Sequence, residues 1–218
     1  MDDKALRETV LDELDFEPSV NAAHIGVATE RGVVTLTGHV LSYAEKVAAE
    51  RAVMHVRGVQ AVAQEIEVRY PEHKKASDDE IAMRALRVLA WHAGIPDDAV
   101  QVKVQGGFVT LTGELDWQFQ RFSAEAAVRK LSGVTGVYDQ ITLRVTGAAK
   151  ASEVEQRIKE AFRRNAEIDA KAIQVTSKDG KTVSLEGSVH SWNERWAAER
   201  AAWSVFGVKI VNDRLMVA

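Results

Sequence analysis

The chain has 218 residues, 46% of them hydrophobic, with 28 Lys/Arg against 32 Asp/Glu and a formal charge of −4. Apolar residues are ample and prolines number three, which excludes a disordered chain. With no cysteine there is no disulfide, thiolate metal site or cysteine nucleophile, and the acidic balance provides no field for nucleic acid.

Self-similarity organises what remains. Thr35–Gly38 and Thr110–Gly113 both read Thr-Leu-Thr-Gly, and Ser184–Gly187 reads Ser-Leu-Glu-Gly. A second glycine, each time followed by valine, lies 20 residues further on, at Gly58, Gly133 and Gly207. One folding unit written three times explains this spacing. The expected domains are 1–70, 76–146 and 150–218, with linkers near Tyr70–Ser77 and Thr146–Ala151. Residues 1–75, 76–149 and 150–218 carry net charges of −4, −2 and +2, so the third unit suits an anionic surface best. No run is long enough to span a membrane. The acidic, amphipathic start has no signal-like apolar stretch, so the expected location is cytoplasmic, or periplasmic if a leader was removed.

In chain order, each unit opens with a helix. Asp2 or Asp3 caps the first, and the capping boxes Ser77-x-x-Glu80 and Ser152-x-x-Glu155 start the others. The stripes Leu6/Val10/Leu14, Ala82/Leu86/Leu89 and Val154/Ile158/Phe162 supply a buried face. Alternating strands follow at Ile25/Val27, Val100/Val102/Val104 and Ile173/Val175. Glycine-bearing turns lead to second strands at Val34/Leu36, Val109/Leu111 and Val183/Leu185. The extra residue of the third unit is expected in its hairpin, between Val175 and Val183, because a loop absorbs what a paired strand cannot.

Gly38, Gly113 and Gly187 are expected to end those strands. Ser42-x-x-Glu45 and Ser191-x-x-Glu194 cap the next helix, whereas the second unit has Trp117 in the serine's place, leaving Asp116 to cap. Ala49/Ala52/Val56, Ala124/Ala127/Leu131 and Ala198/Ala201/Val205 form its contact face. Gly58, Gly133 and Gly207 are expected to end that helix with positive φ. Final strands run through Val62/Ile66/Val68, Val137/Ile141/Leu143 and Val211/Leu215/Val217. The fold class is α+β: three tandem α-β-β-α-β units, each a three-stranded sheet with two helices on one face.

The run Val-x-Leu-x-Gly-x-Val, an alanine-rich helix, then Gly-Val-x-x-Val and an apolar strand resembles the BON domain (bacterial OsmY and nodulation) in all three units. That resemblance implies a non-enzymatic module of bacterial envelope and stress-response proteins, with phospholipid surfaces among its suggested contacts. One relative of the family, which pairs a BON domain with a LysM domain, binds potassium. A small-ligand or potassium sensor is therefore the alternative function, with the turn Lys178–Lys181 as its candidate site.

The residues themselves offer no reactive constellation. The histidines His24, His39, His55, His73, His92 and His190 lack ligand spacing, and no metal or other cofactor is expected. Asp78/Asp79/Glu80 and Asp97/Asp98 read as helix-edge acids rather than an acid/base pair. The aromatic stripe Trp192, Trp196 and Trp203, with Arg195 and Arg200 beside it, lies about 170° from the Ala198/Ala201/Val205 face on a helical wheel. It is the candidate surface for an anionic phospholipid or a protein partner. A dock onto a neighbouring unit is the competing reading, and an inverted core face the third.

Overall fold

A computed structural model describes residues 2–144 and 150–217; most of the expected linker Thr146–Ala151 lies outside the described residues. The order α1 (Asp3–Phe16), β1 (Ile25–Glu30), β2 (Val33–Val40), α2 (Tyr43–His55), β3 (Ala61–Val68) recurs twice. The second copy is α3 (Asp78–Ala90), β4 (Val100–Gln105), β5 (Phe108–Leu115), α4 (Gln118–Val128), β6 (Gly136–Leu143). The third is α5 (Ala151–Arg164), β7 (Ile173–Ser177), β8 (Thr182–Val189), α6 (Trp192–Trp203), β9 (Ile210–Val217). Each sheet has three strands in sequence order. The hairpin is antiparallel and the crossover strand parallel in the first and third sheets.

The packing divides into two compact units, Met1–Gly113 with Phe122–Ile141, and Glu114–Arg121 with Thr142–Ala218. In the first unit, Leu6, Val10 and Leu14 of α1 share one core with Val34 and Leu36 of β2 and Ala49 and Ala52 of α2. In the second, Val154, Ile158 and Phe162 share a core with Val183, Leu185, Ala198 and Ala202. In the first and third repeats one shared core places both helices on the same face of the sheet, as the stripes require.

Several sequence expectations hold. Gly58, Gly133 and Gly207 have the expected positive φ, 95°, 91° and 96°, but they do not end the helices: α2, α4 and α6 stop at His55, Val128 and Trp203, and the glycines lie in the turns that follow. In the third hairpin Ser177 pairs with Val183, whereas Thr29 pairs with Val34 in the first, so the added residue sits in the turn.

Other expectations are corrected. Gly38, Gly113 and Gly187 do not end their strands; β2, β5 and β8 continue two residues beyond them. Glycine is required there because a Cβ would stand 2.0–2.1 Å from the carbonyl oxygen of His24, Ala99 or Ala172. The buried face of α3 is Ile81, Ala85 and Leu89, and Leu86 is 52% exposed. Ser152 caps nothing: α5 begins a residue earlier behind Lys150, and Glu155 accepts the N–H of Ser177 at 2.7 Å. Asp98 lies in the loop before β4 with φ of 57°, not at a helix edge.

Three recurrent ties escaped the sequence patterns. Asp2 caps α1 through the N–H of Ala5 at 2.7 Å, which frees Asp3 to accept the hairpin amides of Arg31 and Gly32. Asp78 does the same for Gly106 and Gly107 at 2.8 and 2.9 Å. The third position of the crossover helix makes the second tie. Glu45 accepts the amides of Asn21 and Leu41, and Glu194 those of Asp169 and His190. In the middle repeat Pro96 stands where Asn21 and Asp169 stand and has no N–H to give, and the acid is replaced by Gln120. Gln120 Oε1 meets the amides of Asp116 and Trp117 at 3.2 and 3.1 Å.

The third tie engages a backbone amide on the last outer strand of each sheet. Gln64, Asp139 and Asp213 each accept the N–H two residues on, of Ile66, Ile141 and Leu215, at 3.1, 2.9 and 2.9 Å. Lys46 of α2 donates to the carbonyl of Ile66 at 2.6 Å, and Arg195 at the same repeat position reaches Asp213. An edge whose amides and carbonyls are already engaged makes a poor template for another strand.

Candidate functional site

The α6 stripe is built differently from the expectation. Ser191 caps α6 through the N–H of Glu194 at 3.2 Å, and the Glu194 side chain is 6% exposed. Burial opposes its ionisation, but the amides of Asp169 and His190 and the His190 side chain outweigh burial and hold its carboxyl below the ordinary value. With the helix start fixed this way, Ala197, Ala198 and Ala202 face the core, and Ala201 and Val205 pack at its margin.

Trp203 therefore does not point away from its own core: its ring packs against it, and its indole N–H donates to Glu199 at 3.2 Å. Trp192 and Trp196 are half-buried, with ring centroids 6.3 Å apart. Arg195 lies 4.9 Å above the Trp192 ring while pairing with Asp213 at 2.6 Å, both side chains largely shielded. Its charge is used inside the repeat. Arg200 is exposed and stands 4.0 Å from Glu167.

The corresponding position in the first repeat, Tyr43, serves docking within the first compact unit. The Tyr70 hydroxyl donates to the carbonyl of Val134 at 2.9 Å and accepts the Tyr43 N–H at 3.5 Å. Burial pushes both phenols up from their ordinary value, against backbone hydrogen bonds that include Val137 for Tyr43. Ser132 donates to the carbonyl of Lys74 at 2.8 Å across the same contact.

The first unit exposes Phe16, Leu41, Phe108, Phe122 and Tyr138 singly, and a group of large apolar side chains along α3 and its C-cap. Trp91, which caps its C-terminus, is 87% exposed, and Met83 and Leu86 are 50% and 52% exposed. At about 100° per residue Met83, Leu86 and Ala90 fall within about 60°, on the side away from the Ile81/Ala85/Leu89 face, and Trp91 stands about 80° from Met83. Arg87 lies between Met83 and Trp91 and Arg84 just beyond Trp91; both are exposed and form no ion pair among the described residues. Phe16 occupies the position of Trp91 in the first repeat and is 83% exposed. The signal was available: the 75-residue offset carries Leu6, Val10 and Leu14 onto Ile81, Ala85 and Leu89 and leaves Met83, Leu86 and Trp91 outside.

Among the described residues no three His, Cys, Asp or Glu are grouped to hold a metal ion, and no helix is long and apolar enough to cross a membrane. The turn Lys178–Lys181 is closed on itself. Asp179 accepts the amides of Lys181 and Thr182, which hold its carboxyl below the ordinary value, and the Lys181 carbonyl accepts Lys209 and Ile210.

The parts common to all three repeats, a strand glycine cleared for a carbonyl and a positive-φ glycine in the turn after the crossover helix, are those of a scaffold, and its family is the BON domain. The family model matches residues 2–70, 77–145 and 150–218, and the chain belongs to that family as a tandem protein with three copies. Among characterised relatives it is 29% identical over 145 residues to the osmotically-inducible protein Y of Escherichia coli K12, covering 65% of this chain and 72% of that protein. Among solved structures it is similar to CdsD, a structural protein of the type III secretion system of Chlamydia trachomatis. That similarity has 12% identity and a TM-score of 0.28 over 98% of this chain and 92% of the other. The C-terminal domain of CdsD matches at 11% identity and a TM-score of 0.27, covering all of both chains. Scores this low bear on neither fold nor function.

Proposed function

We propose that this protein is a non-catalytic, stress-response-type binding protein that docks on anionic phospholipid surfaces through α3. The observation that carries the reading is the exposed set Met83, Leu86 and Trp91 with the exposed Arg84 and Arg87 flanking Trp91. Large apolar side chains on a solvent face are disfavoured unless something covers them. An indole beside guanidinium groups suits the interface, where the ring sits at headgroup level and the cations meet lipid phosphates. The similarity to the osmotically-inducible protein Y supports the stress-response class. On α6, Arg200 with the half-buried Trp192 and Trp196 is the secondary contact; Arg195 and Trp203 serve the fold of the third repeat.

Co-sedimentation with phosphatidylglycerol and phosphatidylcholine vesicles tests the proposal. The protein is expected to pellet with the anionic vesicles, and Leu86→Ser/Trp91→Ser to stay in the supernatant. Equal binding by both proteins, or none by either, would refute the lipid contact.

A further inference from the structure

A second site lies in the other compact unit and does not depend on α3. A groove of about 790 Å³ runs between α5 and the C-terminal end of α6. Ala161 and Ala201 keep its floor low, and Val205, Phe206 and Trp117 form an apolar wall. The Trp117 and Phe206 rings touch at 5.5 Å between centroids, tilted by 56°, and Phe206 is still 47% exposed.

Opposite that wall stand Arg157 and Arg164, both lining the groove and both exposed. Seven residues apart on α5, they project from one side, about 10 Å from each other along the axis. Neither makes an ion pair or hydrogen bond among the described residues. The acid between them, Glu160, is held by Gln156 at 2.9 Å. The groove thus offers two uncommitted guanidinium groups facing an aromatic wall.

The other repeats lack this combination. Counting along the aligned first helices, Arg157 corresponds to Thr9 and Arg84, and Arg164 to Phe16 and Trp91. After the helix-end alignment, Phe206 corresponds to Arg57 and Ser132. The arginine pair and Phe206 belong to the third repeat, Trp117 comes from the second, and the combination is no requirement of the shared scaffold.

We infer that this groove binds a soluble amphipathic anion: a flat apolar body bearing a carboxylate or sulfonate. The body lies on Phe206 and Trp117, and the anion takes parallel N–H bonds from Arg157 or Arg164, the geometry in which arginine exceeds lysine. Charge complementarity selects an anion, and the volume falls within the range of small-molecule sites.

The probe is anilinonaphthalene sulfonate, titrated into the full-length protein and followed by its own fluorescence. Saturable binding is expected, weakened at least tenfold in Arg157→Gln/Arg164→Gln and unchanged in Leu86→Ser/Trp91→Ser. The last comparison separates this site from the α3 face, so that either proposal can fail alone. If the arginine variant does not fold, the unaltered protein still decides. Its Trp117 indole N–H resonance, assigned with Trp117→Phe, shifts on addition of the probe if the groove is occupied. Binding unaffected by the arginine substitutions, an unmoved Trp117 resonance, or binding lost with the α3 variant would overturn the assignment. A bilayer-only ligand is refuted or supported by the same titration against phosphatidylglycerol vesicles. Displacement of the probe by vesicles but not by free naphthalene acetate would also overturn it.

Discussion

Replacing Leu86 and Trp91 by serine removes the two most exposed large apolar side chains of α3 and its C-cap. An aromatic side chain buries about 200 Å² when covered, and Trp91 is 87% exposed. At about 25 cal/mol per Å², insertion of half that area contributes about 2 kcal/mol. Leu86, half-exposed already, contributes about 1 kcal/mol on the same scale. The double variant is therefore expected to lose about 3 kcal/mol of partition free energy, on the order of a hundredfold in affinity. Neither side chain fills the core, so the melting temperature should stay near that of the parent, with stability changed by less than about 0.5 kcal/mol. The assay is vesicle co-sedimentation over a lipid titration, with circular dichroism to confirm the fold. Arg84→Gln/Arg87→Gln should weaken binding by about 1 kcal/mol per charge at low salt and by less at high salt. A serine variant that binds as the parent does, with its fold intact, refutes the reasoning. So does one that unfolds, since that would make Leu86 a core residue.

Gly38→Ala should lower the thermal midpoint of the first repeat by an amount equivalent to more than about 1 kcal/mol, because its Cβ would meet the His24 carbonyl oxygen at 2.0 Å. An unchanged midpoint would show that the strand yields there. The triple variant Gln64→Ala/Asp139→Ala/Asp213→Ala opens the free sheet edges and is expected to associate with rising concentration in sedimentation velocity. A variant that sediments as the parent does at every concentration counts against edge closure. Glu194 has a lowered carboxyl pKa in the fold, so its stabilising contribution is present above its ordinary value of 4.5 and is lost as pH falls through the lower folded value. The stability advantage of the parent over Glu194→Gln should accordingly shrink on acidification below about pH 4.5, as read by urea melts; a constant difference would exclude the linkage.

The tandem fold was legible because its signals are local and recur. Glycine spacing and period-two strands each act within a few residues, and three copies of each leave little ambiguity. The face of α3 was not legible from periodicity alone. Ala82/Leu86/Leu89 and Ile81/Ala85/Leu89 both satisfy helical spacing, share Leu89, and have centres only about 65° apart. Only the partners on the sheet decide between them, although the repeat offset carried the same information. On α6 the buried set Ala197, Ala198 and Ala202 points within about 15° of the direction read from Ala198, Ala201 and Val205, so the helical wheel does not account for Trp203, the last residue of the helix, packing against the core. The acid ties of Asp3, Asp78 and Glu194 join segments more than 20 residues apart, which no window along the sequence reports.

Site-resolved fluorine NMR of protein carrying fluorotryptophan tests the α3 contact most directly. It reports Trp91, Trp117, Trp192, Trp196 and Trp203 separately in the unaltered fold. On addition of phosphatidylglycerol vesicles the Trp91 resonance is expected to shift and broaden first and most, and phosphatidylcholine vesicles should leave it unmoved. A Trp91 signal that stays sharp while Trp192 and Trp196 respond, or five signals that all ignore anionic vesicles, would contradict the account.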